Sequence, residues 1–122
     1  MFLYWAPLAA YMAFIFAVST KPMPEGAPLF WQADKLFHFI AYFVMGVLWV
    51  RAIKAARPST TAGEGIAISA IISFLFGISM EVCQYFVPER SAEVLDAVAN
   101  GAGAAAGSLI YVSSCFKKRI VS

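Results

Sequence analysis

From Phe2 to Ser19 the chain runs for eighteen residues without one charged side chain. Three further apolar runs follow. Leu36 to Val50 is interrupted only by His38, Ile66 to Val87 only by Glu81 and Gln84, and Val94 to Phe116 carries Asp96 and Asn100 as its strongly polar members. A bilayer span takes about 20 apolar residues, or about 17 at the short end. Four spans consume roughly 80 residues of a chain of 122. The remainder suffices for short connections and a tail, with no room for a soluble domain. In lipid each segment must satisfy its own backbone hydrogen bonds, so the spans are helices.

Composition excludes the other classes. Hydrophobic residues make up 61% of the chain and charged residues 13%, against roughly 25% charge in an average soluble domain. A soluble fold this small hides only about 60–70% of the surface its unfolded chain exposes. A soluble enzyme, a disordered chain and a nucleic-acid-binding domain are all ruled out on that ground, and no nucleic-acid partner is expected. The expected fold is an all-α membrane protein of four transmembrane helices in two antiparallel hairpins. It forms a single domain over residues 1–122, with helices at about 2–19, 35–51, 65–87 and 92–115. Ala17-Val18-Ser19 resembles a cleavage site, but no basic residue precedes the apolar run, which is longer than the ~7–15 residue core of a signal peptide. The first span therefore reads as an uncleaved helix.

Basic residues set the expected orientation. Arg51, Lys54 and Arg57 in the second link and Lys117, Lys118 and Arg119 in the tail are six of the nine lysines and arginines. Such residues favour the cytoplasmic side. An even number of spans puts both segments there together, with both termini cytoplasmic. Tyr4, Trp5, Trp49 and Tyr111 then fall near the inner surface, and Trp31 and Tyr85 near the outer one, where interfacial aromatics belong. Cys83 and Cys115 fall toward opposite surfaces. A disulfide needs α-carbons within about 7 Å, so none is expected and Cys83 reads as a packing residue.

In this topology the polar side chains crowd into the outer half. The second helix begins near Asp34, after a link holding Pro22, Pro24, Gly26 and Pro28. His38 shares a face with Asp34, four residues on. Glu81 and Gln84 share a face of the third helix, which Gly77 continues. On the fourth, Asp96, Asn100, Gly103 and Gly107 form one stripe, ending in the small-xxx-small spacing of close helix packing. The link between the third and fourth helices holds Glu89, Arg90 and Glu93. The inner half has no comparable set. A carboxylate at mid-bilayer costs about 2.5–3.5 kcal/mol on insertion scales, and such residues ordinarily pair or line a wet cavity. Two readings follow: an interhelical network that holds four short helices together, or a functional pocket.

These same residues carry a resemblance. Asp34-Lys35-Leu36-Phe37-His38-Phe39-Ile40-Ala41-Tyr42 resembles the D-K-x-x-H-F-x-x-Y element of VanZ-like proteins. Glu81-Val82-Cys83-Gln84-Tyr85-Phe86-Val87-Pro88-Glu89-Arg90 is similar to that family's E-x-x-Q-x-F-x-P-x-R. Asp96-Ala97-Val98-Ala99-Asn100-Gly101-Ala102-Gly103 is similar to its D-x-x-x-N-x-x-G. Ser91 to Val94 departs from the family, which often carries an aromatic or hydrophobic residue before its aspartate. The resemblance implies a small multi-pass protein of the bacterial cytoplasmic membrane. It also implies a link to low-level resistance to teicoplanin, a lipoglycopeptide, through the family's named member.

Two chemistries suit such a pocket. In the first it recognises a ligand. Lys35 and Arg90 at headgroup level would hold a phosphate or carboxylate, Arg90 through two parallel bonds. Asp34, Gln84 and Asn100 would complete the ligand-binding set. Membrane lipids, a lipid-linked cell-wall precursor or a lipoglycopeptide are the expected partners, and homo-oligomerisation stays open. In the second the protein is an enzyme acting on a lipid-linked envelope substrate. His38, the single histidine, would be its general base, oriented by Glu81 or Asp96. No serine- or cysteine-based nucleophile motif accompanies it. No cofactor is expected. No metal is expected either, because one imidazole with carboxylates is an unusual zinc set. Clustering at one surface argues against a proton relay across the bilayer.

Overall fold

The computed structural model describes residues 2–19, 31–86 and 94–121. These form four helices: α1 (Phe2–Ser19), α2 (Trp31–Ala56), α3 (Ala62–Tyr85) and α4 (Val94–Val121). Among the described residues there is no strand. Two helices overrun the bounds expected of them on the basic side. α2 continues to Ala56 rather than 51, because Arg51 and Lys54 are good helix formers and Lys54 in the last turn favours the negative end of the helix dipole. Pro58 then cannot continue the helix. α4 likewise runs on to Val121, beyond the expected end near 115.

The connection between α2 and α3 is a tight turn over residues 57–61. The Arg57 amide donates to the Ile53 carbonyl (2.8 Å) and the Thr60 amide to the Arg57 carbonyl (2.9 Å). Thr61 caps α3, its hydroxyl accepting from the Glu64 amide at 3.2 Å. Thr61-Ala62-Gly63-Glu64 has the spacing of a capping box. That cap starts α3 at Ala62, ahead of the expected position 65.

Glycines bring α2 and α4 backbone to backbone. A Cβ on Gly103 would fall on the carbonyl oxygen of Phe39, one on Gly107 on that of Phe43, and one on Gly46 of α2 on that of Ala104 of α4. The small-residue stripe of α4 therefore faces α2. Such close approach lets Cα–H groups contact facing carbonyls. Ser69, Ser73 and Ser108 are fully buried in the bundle. Ser69 and Ser108 hand their hydroxyl protons to carbonyls of their own helices, Gly65 (2.7 Å) and Ala104 (2.8 Å). Ser69 and Ser108 thus act as small packing residues whose polar atoms are satisfied locally, whereas the buried Ser73 hydroxyl has no hydrogen-bond partner among the described residues.

α1 lies to one side, resting on α2 and, more lightly, on α3. The Tyr11 hydroxyl donates to the Ala41 carbonyl of α2. Ile15 joins Tyr42, Met45 and Met80 in the apolar core, with Cys83 partly buried against it. Near the start of α1, Trp5 meets Trp49 edge to face, with centroids 6.0 Å apart and planes at 88°. The Arg51 guanidinium stands 4.7 Å over the Tyr4 ring. A cavity of about 460 Å³ at the same end is lined by Lys54, Thr60, Thr61, Tyr111 and Cys115. The start of α1, the 57–61 turn and the second half of α4 thus share one end of the bundle. Cys83 and Cys115 are both free thiols.

Two helices carry stretches long and apolar enough to cross a membrane, Leu36–Ala56 and Ala62–Cys83, and only 28% of each stretch is buried within the bundle. The apolar stretch Phe2–Val18 of α1 is shorter. α4 is not among them, because it spends its length on glycine, alanine and serine and carries Asp96 and Lys117 to Arg119. Large apolar side chains cover the outside all the same: Phe2 is 80% exposed, Ile71 58% and Leu109 53%. Soluble monomers rarely present contiguous apolar surface on this scale.

Candidate functional site

Three helices each bring a polar residue to the same place at the end of the bundle away from the 57–61 turn. α2 contributes His38, α3 contributes Glu81, and α4 contributes Asp96 and Asn100. Glu81 is 9% exposed, Asp96 2% and Asn100 1%, so the group is buried between helices rather than presented to lipid. Each residue has a partner one turn deeper on its own helix: Tyr42 below His38, Gly77 below Glu81, and Asn100 below Asp96. Successive turns of a helix face the same way, so one packing register creates both layers.

Gly77 is required by that register. A Cβ there would come within 2.8 Å of Asn100 Nδ2, 3.2 Å of Asn100 Cβ and 3.3 Å of Tyr42 Cε2. Its absence lets the Asn100 side chain lie between α3 and α2. Asn100 Oδ1 then sits 3.0 Å from His38 Nδ1. An amide oxygen only accepts, so Nδ1 carries the proton and donates. The other ring nitrogen, Nε2, is thereby turned toward Asp96, whose Oδ2 is 3.8 Å away. One ligand atom from each of His38, Glu81 and Asp96 lies within 4.8 Å of the other two. Asn100 Nδ2 is buried and has no hydrogen-bond partner among the described residues. It is a donor at the floor of the site.

Of the eight residues singled out in the sequence, the structure brings His38, Glu81, Asp96 and Asn100 together. Asp34, Lys35 and Gln84 lie on described helical backbone, but their side chains, and Arg90 altogether, fall outside the described residues. Tyr42 enters the sequence reading as the last position of the D-K-x-x-H-F-x-x-Y element, without a role in the site. It is 2% exposed and closes the apolar side of the site. Its position four residues after His38 was the available signal.

A His–carboxylate–amide group set between helices, under a belt of exposed apolar side chains, marks an all-helical protein with membrane-like helices and a polar site between them. The VanZ/LLP1 family model matches residues 2–117, nearly the whole chain. The chain belongs to that family. No curated protein and no solved structure matches it.

Proposed function

We propose that all four helices span the bacterial cytoplasmic membrane with both termini in the cytoplasm, and that the site opens to the outer surface. There it binds the anionic headgroup of an envelope lipid, a lipid-linked cell-wall precursor or a lipoglycopeptide. Such binding would contribute to low-level resistance to teicoplanin-type glycopeptides. The observation that carries this reading is the convergence of His38, Glu81, Asp96 and Asn100 from three helices, at the end of the bundle opposite Arg57. The basic turn favours the cytoplasm, which leaves the polar site facing outward. Ionisable groups within a membrane are costly, and they are retained where they bind or move something. In this reading Lys35 and Arg90 hold the anionic group, Asp34 and Gln84 hold its neighbouring hydroxyls, and Glu81 and Asp96 orient the basic side chains. The Nδ2 donor of Asn100 is available to the same ligand or to a water beside it.

The test combines Glu81→Gln and Arg90→Gln, singly and together, in a glycopeptide-challenged bacterial host, with membrane insertion and folding followed alongside. Loss of protection in variants that fold supports the site. Full protection by all three excludes it. Misfolding of both singles with recovery in the double assigns the charges to structure alone, because removing one member of a buried pair can cost about 3–5 kcal/mol.

One observation favours a second reading. Asn100 fixes the His38 tautomer and turns Nε2 toward a carboxylate, the arrangement of a positioned general base. A membrane-embedded enzyme acting on a lipid-linked envelope substrate would show turnover that His38→Gln abolishes. A binding protein would show none.

A further inference from the structure

His38, Glu81 and Asp96 come from three different helices, and their ligand atoms lie within 4.8 Å of one another. Two donors each about 2.1 Å from a shared ion lie at most about 4 Å apart. Rotation of a carboxylate covers the difference of roughly 1 Å without moving a helix.

A residue outside the three ligands positions His38. A histidine that ligates a metal almost always donates its other ring N–H to an oxygen, which fixes the tautomer and makes the free nitrogen more basic. Asn100 Oδ1 takes that position at 3.0 Å from His38 Nδ1. Asn100 is itself held by the space that Gly77 leaves. Using Nδ1 leaves Nε2 facing Asp96.

We propose that His38 Nε2 and one carboxylate oxygen each of Glu81 and Asp96 bind a single first-row divalent cation, with Asn100 as the positioning residue. Imidazole selects for the transition series and carboxylates for harder ions, so Mn²⁺, Fe²⁺ and Zn²⁺ fit the set better than Ca²⁺. Three protein ligands leave coordination positions open for an exogenous oxygen. The cation would also tie α2, α3 and α4 together. This site shares side chains with the headgroup reading but does not depend on it.

The test uses the full chain carrying a histidine-free affinity tag, stripped with a chelator and placed in nanodiscs of zwitterionic lipid only. Cation binding is then read with no anionic headgroup present, and the two readings fail separately. Mn²⁺ alone is the probe. We expect one bound Mn²⁺ per chain by electron paramagnetic resonance. Nitrogen modulation of its echo should be visible, and it can come only from His38, the sole imidazole. Zn²⁺ should displace it. Glu81→Gln and Asp96→Asn should each weaken binding by about tenfold or more, and Asn100→Leu should weaken it while leaving all three ligands in place. Where a variant does not fold, the nitrogen signal of the wild-type chain decides alone. No nitrogen modulation at one equivalent, or equal Mn²⁺ retention by folded ligand variants, overturns the proposal.

Discussion

His38 and Asn100 meet across the α2–α4 interface at 3.0 Å, Nδ1 to Oδ1, and this contact couples the packing of the bundle to the chemistry of its polar site. Replacing Asn100 by Leu keeps the volume and removes the acceptor that the half-buried His38 Nδ1–H uses. The expected loss is about 1–3 kcal/mol, read as a lowered midpoint of thermal unfolding in detergent.

Gly107 and Gly63 should respond in opposite directions to the same substitution. A Cβ at Gly107 falls on the Phe43 carbonyl of α2, whereas one at Gly63 meets nothing within 4 Å. Gly107→Ala should cost about 1–3 kcal/mol by overpacking. Gly63→Ala, in the first turn of α3, should be neutral or stabilising by up to about 1 kcal/mol through helix propensity. Chemical unfolding in mixed micelles would check both.

Tyr11 ties α1 to the rest of the bundle by donating to the Ala41 carbonyl. α1 rests mainly on α2, so Tyr11→Phe should loosen it selectively, at a cost of about 0.5–1.5 kcal/mol. Hydrogen exchange should rise across residues 2–19 and stay unchanged in α4. A uniform rise would show that α1 is integral to the core.

Orientation is open to chemical labelling. In a background without Cys83 and Cys115, a cysteine replacing Phe86, 77% exposed at the end of α3, should react with an impermeant maleimide applied to intact cells. One replacing Ser59, exposed in the 57–61 turn, should not. Thr60 next to it is a poor reporter because it is buried. The reverse pattern would place the polar site on the cytoplasmic side.

Much of this architecture is written in periodic features. Uncharged runs mark the helices, and a polar residue repeated at helical spacing marks the inward face of each. The Gly103–Gly107 stripe signals close packing, but its partner, the Phe39 and Phe43 carbonyls, depends on the relative register of two helices, which no single segment encodes. Gly46 is hidden for the same reason. Ser69, Ser73 and Ser108 look like mild interruptions in sequence, yet they are buried packing residues. α2 runs on through Arg51 and Lys54 to Ala56, because their charges mark a membrane boundary and not a helix end; the stop at Pro58 and the cap at Thr61 mark the turn. That His38, Glu81 and Asp96 share a depth follows from their positions in the helices. That their ligand atoms come within 4.8 Å follows only from the side chains in place.

The central claim is that Lys35 and Arg90, oriented by the carboxylates of the group around His38, bind an anionic headgroup from the outer surface. The most direct measurement is the binding of a polyprenyl phosphate to the purified chain in nanodiscs of zwitterionic lipid, compared with the same chain carrying Arg90→Gln or Asp96→Asn. The account predicts saturable binding at one per chain. It also predicts affinity weakened by about tenfold or more, about 1.4 kcal/mol or more, in variants whose unfolding midpoint shows them folded. Binding that does not saturate, or that folded variants retain in full, would contradict it.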